Sequence, residues 1–343
     1  MRLNSRVSRH AMSRPTPKNA GSSQLLLGIV FVLLSAVGLA TQNVVSRLFF
    51  VPSSVFGTLS LGGWLSPQLS NIVMLLALRM ALMAAFLTAA SPRLYPKTFT
   101  ALWQLTKAPK RLAYVVGSGL CLFIGLTSLY FSLSQVAAGI AIAIFFIYPA
   151  ITLLLAWRYL HQRPLPYQLG LMLVLFFGVA LTTLGSSPNP SSTANPTLGI
   201  IGGLIAGLSF GIYGIFAEIV LQPQAEQQSL HPVPFSLITF VIVSSLASLS
   251  LLFMAPVTVV AASWPPILWM TLFSALITVI SYVLSNSGIQ LIGASLTALI
   301  SASAPALTAL FAWMALQEAL QPQQMLGVGL VTVGVAAISL KAK

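Results

Sequence analysis

The sequence predicts an all-α polytopic membrane protein, with ten transmembrane helices arranged as two inverted five-helix repeats. Three observations predict it. Of 343 residues, 57% are apolar and only 6% are charged, whereas a soluble domain carries about 25% charged residues. Ten apolar runs are each long enough, at about 20 residues, to cross a hydrocarbon core of about 30 Å. Finally, the chain matches itself at a fixed offset, and the repeating unit holds an odd number of runs.

In chain order the runs are 25–48, 70–90, 112–132, 137–159, 166–185, 198–220, 235–255, 266–288, 293–316 and 322–340. Pro, Ser, Gly and Asn mark many of the short connections, most clearly PSSVFGTLSLGGWLSP at 52–67 and SSPNPSSTANP at 186–196. The organisation expected is a basic tail (1–24), a first five-helix repeat (25–185), an outer linker (186–197), a second repeat (198–340) and a short C-terminus (341–343). No segment is long enough for a soluble domain.

Net charge is +13, from 16 Lys and Arg against three acids, Glu218, Glu226 and Glu318. Such a balance raises nucleic-acid binding as a class, but the positions of the charges explain it without a nucleic-acid partner. Arg2, Arg6, Arg9, Arg14 and Lys18 precede the first run. Arg93, Lys97, Lys107, Lys110 and Arg111 follow the second, Arg158 and Arg163 flank the connection after the fourth, and Lys341 and Lys343 end the chain. With ten spans all fourteen fall on one side, which the positive-inside rule makes cytoplasmic, with both termini inside. There they can also touch anionic lipid. The expected location is the plasma (inner) membrane. An organelle membrane is the alternative if the Arg- and Ser-rich, acid-free tail is a transit peptide.

The repeat is explicit. Residues 138–180 against 294–336, an offset of 156, are identical at 14 of 43 positions, where biased composition alone gives roughly four or five. The matches include Pro149 with Pro305, Thr152 with Thr308, Trp157 with Trp313 and Gly178 with Gly334. Earlier in each half, LLGIVFVLLSAVGLA lies over TLGIIGGLIAGLSFG at an offset of 171, an insertion at 51–69 accounting for the difference. Five runs per copy invert the second copy, a construction typical of secondary transporters, with the binding site at the repeat interface.

A mid-helix proline, a short polar turn and a Gly-rich last helix, occurring twice over ten runs, resemble the EamA-type transporters of the drug/metabolite transporter superfamily. Leu316-Gln317-Glu318 keeps the Glu of that family's second turn, while Leu160-His161-Gln162 lacks it. Arg79, in LALRMALMAA, also resembles the family pattern. The resemblance covers about 25–340 and implies a permease for a small solute, without naming the solute.

Arg79 lies near the middle of the second run, where an arginine costs about 2.5–3.5 kcal/mol on insertion scales. Two readings stand: attraction of an anionic group such as a substrate carboxylate, or an arginine bonded to carbonyls of a neighbouring helix. Glu218, near the cytoplasmic end of the sixth run, either binds and releases a proton during transport or caps the helix end beside water. Glu318 sits in an outer turn and Glu226 in an inner loop, and neither suits coupling.

Polar residues recur at related places in the two halves. Gln42 and Asn43 end the first run, with Gln42 matching Tyr213 of the sixth; Tyr130 of the third matches Asn286 of the eighth, which also carries Tyr282. Tyr148 precedes Pro149, and Ser301 and Ser303 precede Pro305. Polar side chains within spans tend to face the bundle interior, and each of these helix-break prolines frees a carbonyl one turn earlier. Arg79, Gln42, Asn43, Tyr130, Tyr148, Tyr213, Tyr282 and Asn286 are therefore the expected cavity. Gly199, Gly203, Gly207 and Gly211 form a ridge for close helix approach, within the fold first and in a homodimer second.

Other chemistries fall away. Gly207-Leu208-Ser209-Phe210-Gly211 spells a serine-hydrolase elbow, but no aspartate exists and His10, His161 and His231 all lie in the tail or loops. One cysteine, Cys121, precludes an intrachain disulfide. No enzyme, cofactor or metal site is expected. A secondary-active carrier of a small metabolite or amino-acid-like solute, in its coupled form a proton-driven exporter, is the leading function. A passive small-solute channel is the alternative.

Overall fold

The computed structural model describes residues 22–50, 52–66, 68–135, 144–183, 196–223, 229–316 and 322–341. Most of the basic tail, the 186–195 linker, the start of the fourth run, Glu226 and Glu318 lie outside the described residues.

The described chain is almost entirely helical. The first half holds α1 (Ser22–Phe50), α2 (Leu69–Leu94), α3 (Thr98–Thr106), α4 (Pro109–Gln135), α5 (Tyr148–Leu160) and α6 (Pro166–Thr183). The second holds α7 (Pro196–Leu221), α8 (Pro232–Leu251), α9 (Trp264–Ile292), α10 (Ala294–Ser301), α11 (Ala304–Leu316) and α12 (Pro322–Lys341). Proline opens α4, α6, α7, α8 and α12 at the first helical position, where its missing N–H costs nothing. Among the described residues seven helical stretches are long and apolar enough to cross a membrane, the last running through α10 and α11; Pro166–Gly178 and Met325–Gly334 are shorter apolar stretches. This is an all-α, multi-pass membrane protein.

Three places differ from the sequence expectation. The 51–69 connection is not simply a loop: Ser53–Val55 (β1) and Leu59–Leu61 (β2) pair antiparallel, Ser53 opposite Leu61. Phe56 and Gly57 turn the chain in the left-handed region, with φ of 51° and 70°. The Phe56 N–H donates to Ala315 O at 2.7 Å, docking the hairpin on the end of α11. In the 91–111 connection lies α3, a short helix packed against α4 and α8. The ninth run is two helices, because Pro305 has no N–H to carry the ladder across 302–303. There both the N–H and the hydroxyl of Ser303 donate to Ile300 O, at 3.0 and 2.8 Å.

An equivalent turn occupies 146–147, just before Pro149 in the first turn of α5. Shifted by the repeat offset of 156, it falls on 302–303.

The most extensive packing joins α4 with α7, α1 with α9, α2 with α8 and α6 with α12. Next come α5 on α7, α1 on α11, α4 on α8 and α2 on α9. Between helices in lipid, van der Waals fit replaces the hydrophobic drive that operates in water. The fit here centres on α2, α4, α7, α8 and α9, through fully buried Met80, Met83, Leu122, Phe235 and Phe240.

Along α7, Gly203, Gly207 and Gly211 face the 144–151 segment. A Cβ on Gly207 would meet Ile147 Cγ2 at 2.7 Å and the backbone oxygen of Phe145 at 3.0 Å. Gly199, one turn earlier, is buried, and its carbonyl accepts from the Ser132 hydroxyl of α4 at 2.7 Å.

Candidate functional site

Arg79 stands ten residues into α2, about 15 Å along a helix rising 1.5 Å per residue. It is 3% exposed. Its Nη2 donates to the Tyr130 hydroxyl of α4 at 2.5 Å, and its Nη1 reaches Ser46 Oγ of α1 at 3.4 Å. Nε has no partner. The guanidinium also lies 5.6 Å from the Tyr130 ring centroid, within the range of a cation–π contact. Gln42, one turn before Ser46 on the same face of α1, donates to Ser46 Oγ at 2.6 Å. Gln42, Arg79 and Tyr130 are thus brought together through Ser46, a residue that sequence reasoning passed over. Its spacing of four from Gln42 was the available signal.

Beside this group is a void of about 10 Å³, lined by Ser46, Phe50, Ile72, Leu75 and Tyr130. That is room for about one water. The polar residues therefore close on one another here. A larger hollow, about 590 Å³, is an open apolar groove on the exposed side of α12, lined by Pro322, Met325, Leu326, Gly329 and Leu330, and shares none of these groups.

A second buried chain adjoins. The Tyr213 hydroxyl donates to Asn286 Oδ1 at 2.8 Å, and Asn286 Nδ2 donates to Ser236 Oγ at 2.8 Å, tying α7, α9 and α8. Tyr282, one turn before Asn286, interacts electrostatically with Arg79, Tyr130, Tyr148 and Tyr213, so the two groups are neighbours. Tyr148 bonds Ser301 across the halves, and with Phe145, Phe146 and Phe210 forms an aromatic cluster leading to Tyr213. Asn43 stands apart. It is exposed and donates to Thr308 Oγ1 of α11 at 3.2 Å.

Glu218 lies near the C-terminal end of α7, 2% exposed. It is not beside open water: its carboxylate accepts from Gln162 Nε2 at 2.5 Å and from the N–H of Ala294, first residue of α10, at 2.7 Å. An anion at a helix N-terminus is favoured by the free N–H groups and the dipole. Gly293, at φ +81°, makes the turn from α9 into α10; a Cβ there would come within 3.5 Å of Glu218 Oε1. Gln222 and Gln290 bridge the same end, to Ile289 O and to Leu221 O.

A bundle of apolar helices that buries an arginine and a network of hydroxyls and amides at its centre defines a multi-pass membrane protein with a polar interior. Comparison with known proteins places it further. The EamA-like transporter family matches residues 197–340. The uncharacterized transporter sll1319 of Synechocystis sp. is 35% identical over 316 residues, covering 92% of this chain and 93% of that one. The crystal structure of a protein 17% identical superposes with a TM-score of 0.65 over 94% of this chain and 97% of that chain, a likeness of fold. The chain belongs to the EamA-like transporters of the drug/metabolite transporter superfamily. It is accordingly a transporter of small solutes, in a family of transporters rather than enzymes.

Proposed function

We propose that the protein is a secondary-active permease. It moves a small metabolite or amino-acid-like solute by alternating access between two inverted five-helix halves, 25–185 and 198–340, in the plasma membrane with both termini cytoplasmic. The observation that carries this reading is the packing pattern. Exchanging the halves turns α1 into α7, α2 into α8, α4 into α9, α5 into α10–α11 and α6 into α12. Under that exchange the α1–α9 contact becomes α7–α4, α5–α7 becomes α11–α1, and α4–α8 becomes α9–α2, while α2–α8 and α6–α12 map onto themselves. Each of these contacts is present, as expected of inverted repeats rocking about a shared site. The equivalent turns at 146–147 and 302–303 support the same reading.

On this reading the site is the cluster of Arg79, Gln42, Tyr130, Tyr148, Tyr213, Tyr282 and Asn286, in a closed arrangement, with Asn43 on the route towards it. Proton coupling falls to Glu218, the acid buried at one end of the bundle, and gives the carrier a direction when a proton gradient exists. The test is counterflow. Purified protein in liposomes is loaded with an unlabelled solute chosen by its thermal stabilisation of the protein, and uptake of the labelled solute is followed. A carrier takes up label faster when the interior is loaded. Equal rates with and without loading would mark a pore and sink the proposal.

A further inference from the structure

We propose that Arg79 is the docking point for a carboxylate, so that the solute is a small organic monoanion with a short apolar body. The inference deepens the carrier reading and rests on it. Among the described residues only two charged side chains are buried, Arg79 and Glu218. Both oxygens of Glu218 are already taken, by Gln162 and Ala294. Arg79 is therefore a buried cation to which no described acid is matched, and a buried charge left unpaired is costly. Among the described residues its bonds go to two hydroxyls, Tyr130 and Ser46, and to no backbone carbonyl.

Hydroxyls are exchangeable partners. Tyr130 accepts from Nη2 and keeps its own proton to donate, as Ser46 does, so both can turn onto an oxyanion drawn to the guanidinium. Nε, unpartnered, then supplies a second N–H for the forked pairing that arginine makes with carboxylates. The void is lined by the two hydroxyl residues that Arg79 bonds, Ser46 and Tyr130, and by Phe50, Ile72 and Leu75. Two hydroxyls and three apolar side chains about a space that now holds about one water would, once the site opens, suit a carboxylate with an aliphatic or aromatic remainder. A single cation suits one negative charge better than the two of a phosphate monoester.

The test measures melting of the purified wild-type protein in detergent, in the presence of straight-chain monocarboxylates of two to six carbons and of the corresponding amides. A thiol-reactive dye on Cys121, the sole cysteine, reports unfolding. At least one acid should raise the melting temperature where its amide does not, and this comparison needs no variant. Arg79→Gln should weaken binding about 30-fold or more, the cost of stranding one member of a buried charge pair. Arg79→Lys should restore part of it, charge being kept and the fork lost. Equal shifts with acids and amides, or no shift with any acid, overturn the proposal. So does the same shift with sodium chloride, which marks an adventitious ion only. Counterflow of a neutral solute without an acid-dependent shift overturns the carboxylate site and leaves the carrier standing.

Discussion

Replacing Glu218 by Ala removes the acceptor for two donors at once. Gln162 belongs to the segment between α5 and α6 of the first half, and Ala294 opens α10 of the second, so the carboxylate on α7 ties the halves together at one end of the bundle. A hydrogen bond to a charged group contributes about 1.5–3 kcal/mol, and a buried N–H left without an acceptor costs about 1–3 kcal/mol. Against these stands the desolvation of the carboxylate, which the variant recovers. The balance is a loss of about 3 kcal/mol in the local stability of α10, or about a hundredfold more frequent opening. Hydrogen exchange of a peptide spanning 293–301 reads this directly: the variant should exchange about a hundredfold faster there, with α2 and α8 unchanged. Glu218→Gln, which keeps one acceptor oxygen, should fall between. Gln162→Ala should cost about 1.5 kcal/mol alone and much less on top of Glu218→Ala, because the bond is then already gone. Additive effects of the two substitutions, or unaltered exchange at 293–301, would refute the tie.

Four further outcomes are expected. Gly207→Ala should destabilise by about 1–3 kcal/mol, since its Cβ runs into Ile147 and the Phe145 carbonyl. Gly170→Ala, which meets nothing within 4 Å, should stabilise α6 by about 0.5–1 kcal/mol; thermal unfolding of the pair checks both. His231 stacks on Tyr95 with centroids 4.1 Å apart, and its Nδ1 accepts from Val233 N–H at the start of α8. Burial lowers its pKa below the ordinary histidine value. The folded state then binds the proton less well than the unfolded one, so this contribution is full above the unfolded pKa and fades as pH falls through the folded one. His231→Asn, which places a favoured capping residue there, should abolish that pH dependence in thermal melts between pH 8 and 5. Asn71 Nδ2 donates to Ser66 Oγ at 2.7 Å and its Oδ1 accepts from Thr258 N–H at 3.1 Å, holding the loop before α9 to the start of α2. Asn71→Ala should speed proteolysis near 255–260, and an unchanged cleavage rate would count against that role.

Hydropathy gave the long helices to within a few residues. The run 70–90 became Leu69–Leu94, and 266–288 became Trp264–Ile292. What it missed is short or depends on partners. TFTALWQLT of α3 spans nine residues, too few for a periodic signal and set among basic residues that read as a loop. The hairpin at 53–61 needs the end of α11 to dock against, where Phe56 meets Ala315 far along the chain, and local pattern carries no word of that. Arg79 and Glu218 stood out because charge in an apolar run is rare. Ser46, Ser236 and Gln162 did not, because a serine or glutamine in a span costs little and occurs often. Their partners lie 33, 50 and 56 residues away in sequence, and only packing brings them into register.

Were two inverted halves identical, the two facings of a carrier built from them would be equal in energy by symmetry. Here the halves differ where charge is involved. The offset of 171 that lays Gln42 over Tyr213 also lays Arg47 over Glu218, so the position that carries a carboxylate in the second copy carries a guanidinium in the first. The Glu218 carboxylate is satisfied by a glutamine and a helix N-terminus drawn from the two halves, and these two bonds join the halves at one end of the bundle. Opening that end means stranding a buried N–H and an anion together unless the anion is neutralised first. A proton arriving at Glu218 would do so, and so link closure at that end to the proton supply. Arg79, near the middle of α2, bonds Ser46 and Tyr130 and shares no hydrogen-bond partner with Glu218 among the described residues. On the proposed reading, binding at Arg79 and proton release at Glu218 would be separable by mutation, and a variant that loses one while keeping the other is the sharpest probe of how the halves communicate.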